Sequence, residues 1–191
     1  MRDQWYDLVH CTDSITQGDI LLGCPILNWL PNPPPDPHTD ANLKDYAGAF
    51  SEDVIVMTQA CDLEHDKVQN VVLCPHLSLS TFRNSWQRWM ESRRQTPSEK
   101  AWKSLCGDIL AGYVWNQTMI DASNDQTLPM EPRVVDFHEV FTLPRAFLEG
   151  WMRRSGKQRL RLRPPYREHL SQAFARFFMR VGLPEPINLA N

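Results

Sequence analysis

The chain has 191 residues, of which 42% are hydrophobic and seven are tryptophan, and it carries a formal net charge of −3. That is ample apolar material for one packed domain, and it excludes an intrinsically disordered polymer. A mean hydropathy of −0.45, with no apolar run approaching about eighteen residues, predicts no transmembrane helix.

The N-terminal stretch MRDQWYDLVHCTDS mixes charges into its apolar positions and does not read as a secretory signal. Five cysteines (Cys11, Cys24, Cys61, Cys74, Cys106) at irregular spacings make a poor disulfide framework and predict a reducing, cytoplasmic setting. Charge is unevenly placed. Residues 1–150 hold 11 Lys+Arg against 21 Asp+Glu, whereas residues 151–191 hold 9 against 2. An acidic body with a basic tail predicts either internal docking of the tail or an anionic partner, and composition leaves both open.

In chain order, Gln17-Gly18-Asp19 is a turn signal that leads into ILLGCPILNWL, long and apolar enough for a strand or a bent strand pair. PNPPPDPHTD (31–40) follows; its prolines support neither helix nor central sheet and predict an extended loop or linker. Asp53–Thr58 (DVIVMT) reads as a buried β-branched strand and Asn70–Pro75 (NVVLCP) as its hairpin partner across the polar loop of MTQACDLEHDK. The period then changes. Phe82, Trp86, Trp89 and Met90 share one helical face, and Thr96-Pro97-Ser98-Glu99 predicts a second helix with Thr96 as N-cap and Glu99 closing a capping box. Strand character returns at Tyr113-Val114-Trp115 and over Arg133–Leu143, where Val135, Phe137, Phe141 and Leu143 alternate onto one face. Pro144 opens a short helical turn closed by Gly150. Leu160 and Leu162 alternate with Arg159, Arg161 and Arg163, which predicts an edge strand with its charges outward. A last helix starts after Pro164-Pro165, burying Tyr166, Leu170, Phe174, Phe177, Phe178 and Val181, and stops at Gly182-Leu183-Pro184.

Together these elements predict an α+β fold: a small bent antiparallel β-barrel over residues 1–150, a two-helix insertion at 79–111, and a basic segment and helix at 151–191 packed on the same domain.

Four groups of residues carry candidate chemistry. Cys61, His65, Cys74 and His76 could form a Cys2His2 zinc set if the hairpin brings the loop to the strand, although the spacing matches no standard finger; a buried free Cys74 with surface histidines is the simpler reading. Cys61 beside Asp62 has the ingredients of a nucleophile, but Asp62 and Glu64 place negative charge where a thiolate would form. Asp62, Glu64, Asp66 and Lys67 suggest a carboxylate-lysine nuclease site, against which stands a plain solvated turn. Lys157, Arg159, Arg161, Arg163 and Arg167 could track a phosphate backbone or bind a protein partner. The Trp86/Trp89/Met90 face with its arginines fits an interface hot spot as well as a core-facing helix.

Gly18-Asp19-Ile20, then VIVMT, then a polar loop ending at Lys67, then NVVLCP, and late VVDFHEVFTLPRAFL, is similar to the MazF/PemK toxin superfamily over residues 17–78 and 112–149. The resemblance implies an SH3-like barrel and a place in a bacterial toxin–antitoxin or defence-type system, with RNA or a protein as partner, a homodimer as one assembly and no cofactor. The family's catalytic Arg-Pro pair has no counterpart: Ser51-Glu52-Asp53 stands there. A cleaving member would need a relocated cation, Lys67 or Arg133, with Ser78 or Ser80 as the hydroxyl and Thr58, Cys61 and Asp62 at the neighbouring strand end. Without such a cation the resemblance implies a binding or regulatory relative.

Overall fold

The computed structural model describes residues 4–32 and 43–179. The proline-rich stretch from residue 33 onward, and Val181 with the predicted stop at 182–184, lie outside the described residues. The elements are β1 (Tyr6–Val9), β2 (Ile20–Trp29), β3 (Ala47–Val56), α1 (Ala60–Glu64), β4 (Asn70–Ser78), α2 (Leu79–Ser92), α3 (Glu99–Leu110), β5 (Gln117–Ile120), β6 (Arg133–Asp136), β7 (Phe141–Pro144), α4 (Arg145–Ser155), β8 (Arg159–Leu162) and α5 (Tyr166–Phe178). The fold is α+β, and every strand pairing among these is antiparallel. No helix among the described residues is long and apolar enough to cross a membrane.

The main sheet runs β2-β3-β4-β6-β5, and β7 pairs with β4 as well. The two ends of this order do not meet, so the sheet is not closed into the expected barrel. The break in the predicted 133–143 strand contributes. Phe137 drops fully into the core and gives its backbone N–H to the Asn116 carbonyl at 2.8 Å, while Asp136 accepts from the His138 N–H. Two four-residue strands result. β7 takes Asn70–Leu73 of β4 and β6 takes His76–Ser78. The predicted strand at 113–115 is displaced to Gln117–Ile120.

Both faces of the sheet are covered, which is why the VIV run is apolar throughout rather than alternating. On one face Val54, Val56, Val71 and Leu73 pack with Leu63 of α1 and Leu148 and Met152 of α4. On the other, Ile55, Cys74 and Val135 pack with Leu160 and Leu162 of β8 and Leu170 of α5. Each such side chain, moved wholly out of water, contributes about 1.5–3 kcal/mol. The last helix is held by aromatic contacts: Tyr166 stacks on Trp5 at 3.9 Å between centroids, and Phe174 meets Phe137 edge-on at 5.5 Å.

β1 and β8 form a separate two-stranded ribbon, joined to the start of β2 through the Asp19–Arg161 bridge and a Leu162 N–H bond to the Gly18 carbonyl. Gly18 is required at this joint: its φ is +83°, and a Cβ there would lie 2.9 Å from the Leu162 Cβ. The predicted edge strand at 160–162 is therefore correct in kind, but its charges do not all point outward, because Arg159 is buried.

One edge of the sheet is β2, β5 being the other end of the order, and from Gly23 to Trp29 the β2 edge offers little to an incoming strand. Leu30 N–H bonds the Tyr46 carbonyl, so beyond the register shift between Leu21 and Cys24 the β2–β3 ladder runs through the even-numbered residues and the odd N–H groups face outward. Of these, the Gly23 N–H is taken by Asp53 Oδ1, Pro25 has none, and the Trp29 N–H is taken by Asn28 Oδ1. Leu27 alone presents an uncapped N–H along this stretch, which makes strand addition unfavourable.

The helical insertion forms as two helices, with its caps shifted. Ser98, not Thr96, is the N-cap of α3: its backbone is extended and its Oγ accepts from Ala101 N–H at 3.2 Å, so Glu99 becomes the first helical residue. The helical turn expected after Pro144 extends to eleven residues; Gly150 lies inside it and Gly156, with φ +65°, closes it.

Candidate functional site

Three charged constellations distinguish the molecule. The first lies at the ribbon joint. Asp19 is 0% exposed and accepts from Arg159 Nε at 2.8 Å and from Arg161 Nε and Nη2 at 2.5 and 3.0 Å. Three of the four remaining guanidinium hydrogens of Arg159 are used on the carbonyls of His10, Asp13 and Ser14, and Arg161 Nη2 also bonds Ser14. A buried charge is tolerated only when its bonding capacity is met in this way. The other members of the basic tail divide. Arg163 reaches Asp7 at 3.5 Å and Arg167 pairs with Glu168 at 2.6 Å, while Lys157 is exposed with no ion pair among the described residues. So Arg159 and Arg161 fasten the tail to the body through Asp19.

The second is a seam across β3, β4 and β6. Arg133 Nη1 donates to Asp53 Oδ2 at 2.7 Å and to His76 Nδ1 at 3.0 Å, which fixes the His76 acceptor nitrogen toward the guanidinium. Asp53 is held in turn by the Gly23 N–H. Burial, with the Arg133 charge beside it, lowers the His76 pKa to about 3, so the imidazole is neutral through the physiological range. His76 Nε2 and Arg133 Nε are buried without a partner among the described residues. Where the seam surfaces, Ser78 caps α2 by accepting from Thr81 N–H, and Glu131 accepts from the Ser80 hydroxyl at 2.8 Å and its N–H at 3.2 Å. These bonds, the Ser80 hydroxyl first, lower the Glu131 pKa.

The third is the 57–67 turn. It is a short helix rather than a bare polar loop, because Leu63 points into the core beneath it. Thr58 is buried and its hydroxyl accepts from the Val72 N–H at 2.7 Å, extending the sheet. Lys67 pairs with Asp62 at 3.6 Å. Arg145, from the start of α4, holds the turn by bonding the Leu63 carbonyl at 2.8 Å, Asp66, and Glu149 at 2.8 Å. Those carboxylates, Glu149 first, raise the Arg145 pKa.

The sequence-derived sites separate accordingly. The proposed zinc set does not assemble: Cys74 and His76 are buried, Cys61 and His65 are exposed, and no three His/Cys/Asp/Glu side chains among the described residues could hold a metal. Burial raises the Cys74 thiol to about 12, so it behaves as a small core residue. Cys61 approaches only Gln59 and Asp62, at 3.8 and 3.7 Å. Of the weak catalytic candidates, Arg133 and Ser78 adjoin on paired positions of β6 and β4, while Cys61, Asp62 and Lys67 belong to the separate 57–67 turn. Asp19, Asp53, Arg145 and Glu131 were not among the candidates. Asp19 is legible as the single acid between a glycine turn and a strand, and Asp53 as the acid that stands where the resembled family has its Arg-Pro pair.

Two surface features stand out among the described residues. A cavity of about 400 Å³ is lined chiefly by Ile20, Leu22, Leu128, Met130 and Trp151, with Lys157 beside them. The other surface is the outer side of α2. Phe82 and Trp86 turn inward to Trp102, at 5.9 and 5.3 Å between centroids, but Trp89 does not follow them. It is 50% exposed, with the Arg93 guanidinium 4.8 Å above its ring. Phe82, Trp86 and Met90 lie within one arc of the helix, and Trp89 falls beyond its edge. In comparisons with known proteins, no family model matches the chain and no curated protein matches it.

Proposed function

We propose that this chain is a binding or regulatory component of a bacterial toxin–antitoxin or defence-type system, contacting RNA or a protein partner without turnover. The observation that supports this most is the fate of the two cations available for phosphate chemistry. Arg133 is drawn inward onto Asp53 and His76, and Lys67 rests on Asp62. A cation already neutralised by a carboxylate stabilises developing phosphate charge poorly. The MazF/PemK-like origin of the β2–β4 core, its SH3-like ancestry and a cytoplasmic setting belong to the same proposal. The glycine turn at Gly18 and the β3–β4 hairpin are compatible with it.

The test is incubation of the pure protein with a long RNA in metal-free buffer. The RNA is expected to stay intact. Site-selective cleavage that disappears in Arg133→Ala or Lys67→Ala would overturn the proposal and restore the endonuclease.

A further inference from the structure

The geometry points to the outer face of α2 as a docking site for a single-stranded nucleic acid, with Trp89 as the stacking platform and Arg88 and Arg93 on the phosphates. This rests on the binding reading above and assigns it a surface and a ligand chemistry. On a helix, Thr81, Ser85, Arg88, Trp89 and Ser92 fall within one arc, since residues three and four apart are neighbours. That arc contains no acid. Glu91 lies beyond its edge, and Arg93 and Arg94 continue it past the helix end. Residues 79–111 hold six Lys+Arg against three Asp+Glu on a chain whose total is −3. The outer face of α2 therefore carries local positive charge with no acid on its arc, which favours the approach of a polyanion.

The arginines of this face are available, in contrast to those of the basic tail. Among the described residues Arg88 makes only 3.4 Å bonds to Asn84 and Ser85 of its own helix, and Arg93 lies over the Trp89 ring. Arg93, itself exposed, occupies one face of the indole, so a base takes the other. Hydroxyls of Thr81, Ser85 and Ser92 lie on the same arc and are of the kind that contact phosphate oxygens. An exposed tryptophan flanked by arginines suits bases that are unstacked and free to lie on an aromatic face. A duplex hides those faces. Shape, not sequence, sets the contact, so RNA and DNA single strands are both accommodated.

The probe is a fluorescent 20-nucleotide single strand, as RNA and as DNA, titrated by anisotropy at rising salt. Non-specific affinity in the range of about 1–100 µM is expected, and neutralisation of two or three phosphates gives a log–log salt slope of about −1.4 to −2. Trp89→Ala should weaken binding about tenfold. The pair Arg88→Gln/Arg93→Gln should weaken it comparably and flatten the slope, while the control pair Arg153→Gln/Arg154→Gln on exposed α4 positions changes it by less than about twofold. Several results would overturn the assignment: no binding by the wild type, equal loss in the control pair, or a duplex of the same sequence binding as tightly. Competition by polyglutamate as effective as by the oligonucleotide would also overturn it, in favour of an acidic protein partner. Retention unchanged in the α2 variants would sink this site while leaving the binding reading intact; RNA cleavage would sink the binding reading itself.

Discussion

The β1–β8 ribbon and the α2–α3 hairpin are both rich in arginine, yet they use it in opposite ways. On the ribbon, Arg159 and Arg161 converge on one fully buried carboxylate and on backbone carbonyls of residues 10–14, so they fasten the chain to itself. On the hairpin, Arg88 and Arg93 touch little but their own helix. Density of positive charge along a sequence is therefore a poor guide to which arginines face solvent. The number of carboxylates and carbonyls waiting inside the fold decides it.

The contrast can be broken most severely at Asp19. Asp19→Asn leaves two guanidinium groups without their counter-charge in a dry site, and a loss of about 3–5 kcal/mol is expected in urea unfolding. A loss below about 1 kcal/mol would mean the ribbon pairs are incidental.

His76 sharpens the picture on the interior side. Its folded pKa of about 3 lies below the ordinary value of 6.5, so the unfolded state binds the proton more readily. Stability attached to the neutral imidazole is complete above about pH 6.5 and falls as pH drops toward 3, by about 1.4 kcal/mol per unit in between. His76→Gln should flatten the stability profile between pH 6 and 4 relative to the wild type. An unchanged slope would show that the seam is not buried in solution.

Smaller effects are expected on the hairpin. Ser98→Ala removes the observed N-cap of α3 and should cost about 1 kcal/mol, whereas Thr96→Ala should cost little. The reverse ranking would reinstate Thr96 as the cap. Arg88→Gln/Arg93→Gln should leave the urea midpoint within about 0.5 kcal/mol, since these groups are solvated.

The strand-loop-strand order up to β4, the helix pair at 79–111 and the final helix were legible because each rests on local periodicity. The barrel was not. Whether a sheet closes depends on how β4 shares its edge between β6 and β7, a tertiary pairing with no local signature. Arg159 and Arg161 read as outward charges because alternation with Leu160 and Leu162 is the ordinary pattern of a solvated edge strand. Their true partner, Asp19, lies about 140 residues away in sequence. Arg133 and Ser78 were singled out through a resemblance, and the structure does bring them side by side. Asp53 and His76 complete that cluster from strands whose pairing register the sequence does not specify. Trp89 was grouped with Trp86 on one face. Only the position of Trp102 separates them, since it draws Phe82 and Trp86 inward and leaves Trp89 outside.

The division between inward and outward arginines is tested most directly by urea unfolding of Asp19→Asn and of Arg88→Gln/Arg93→Gln, side by side, at low salt and at 0.5 M salt. The account predicts a loss of about 3–5 kcal/mol for the first, little altered by salt because buried pairs are screened weakly, and less than about 0.5 kcal/mol for the second. Equal losses in the two variants, or an Asp19→Asn loss that vanishes at high salt, would contradict it.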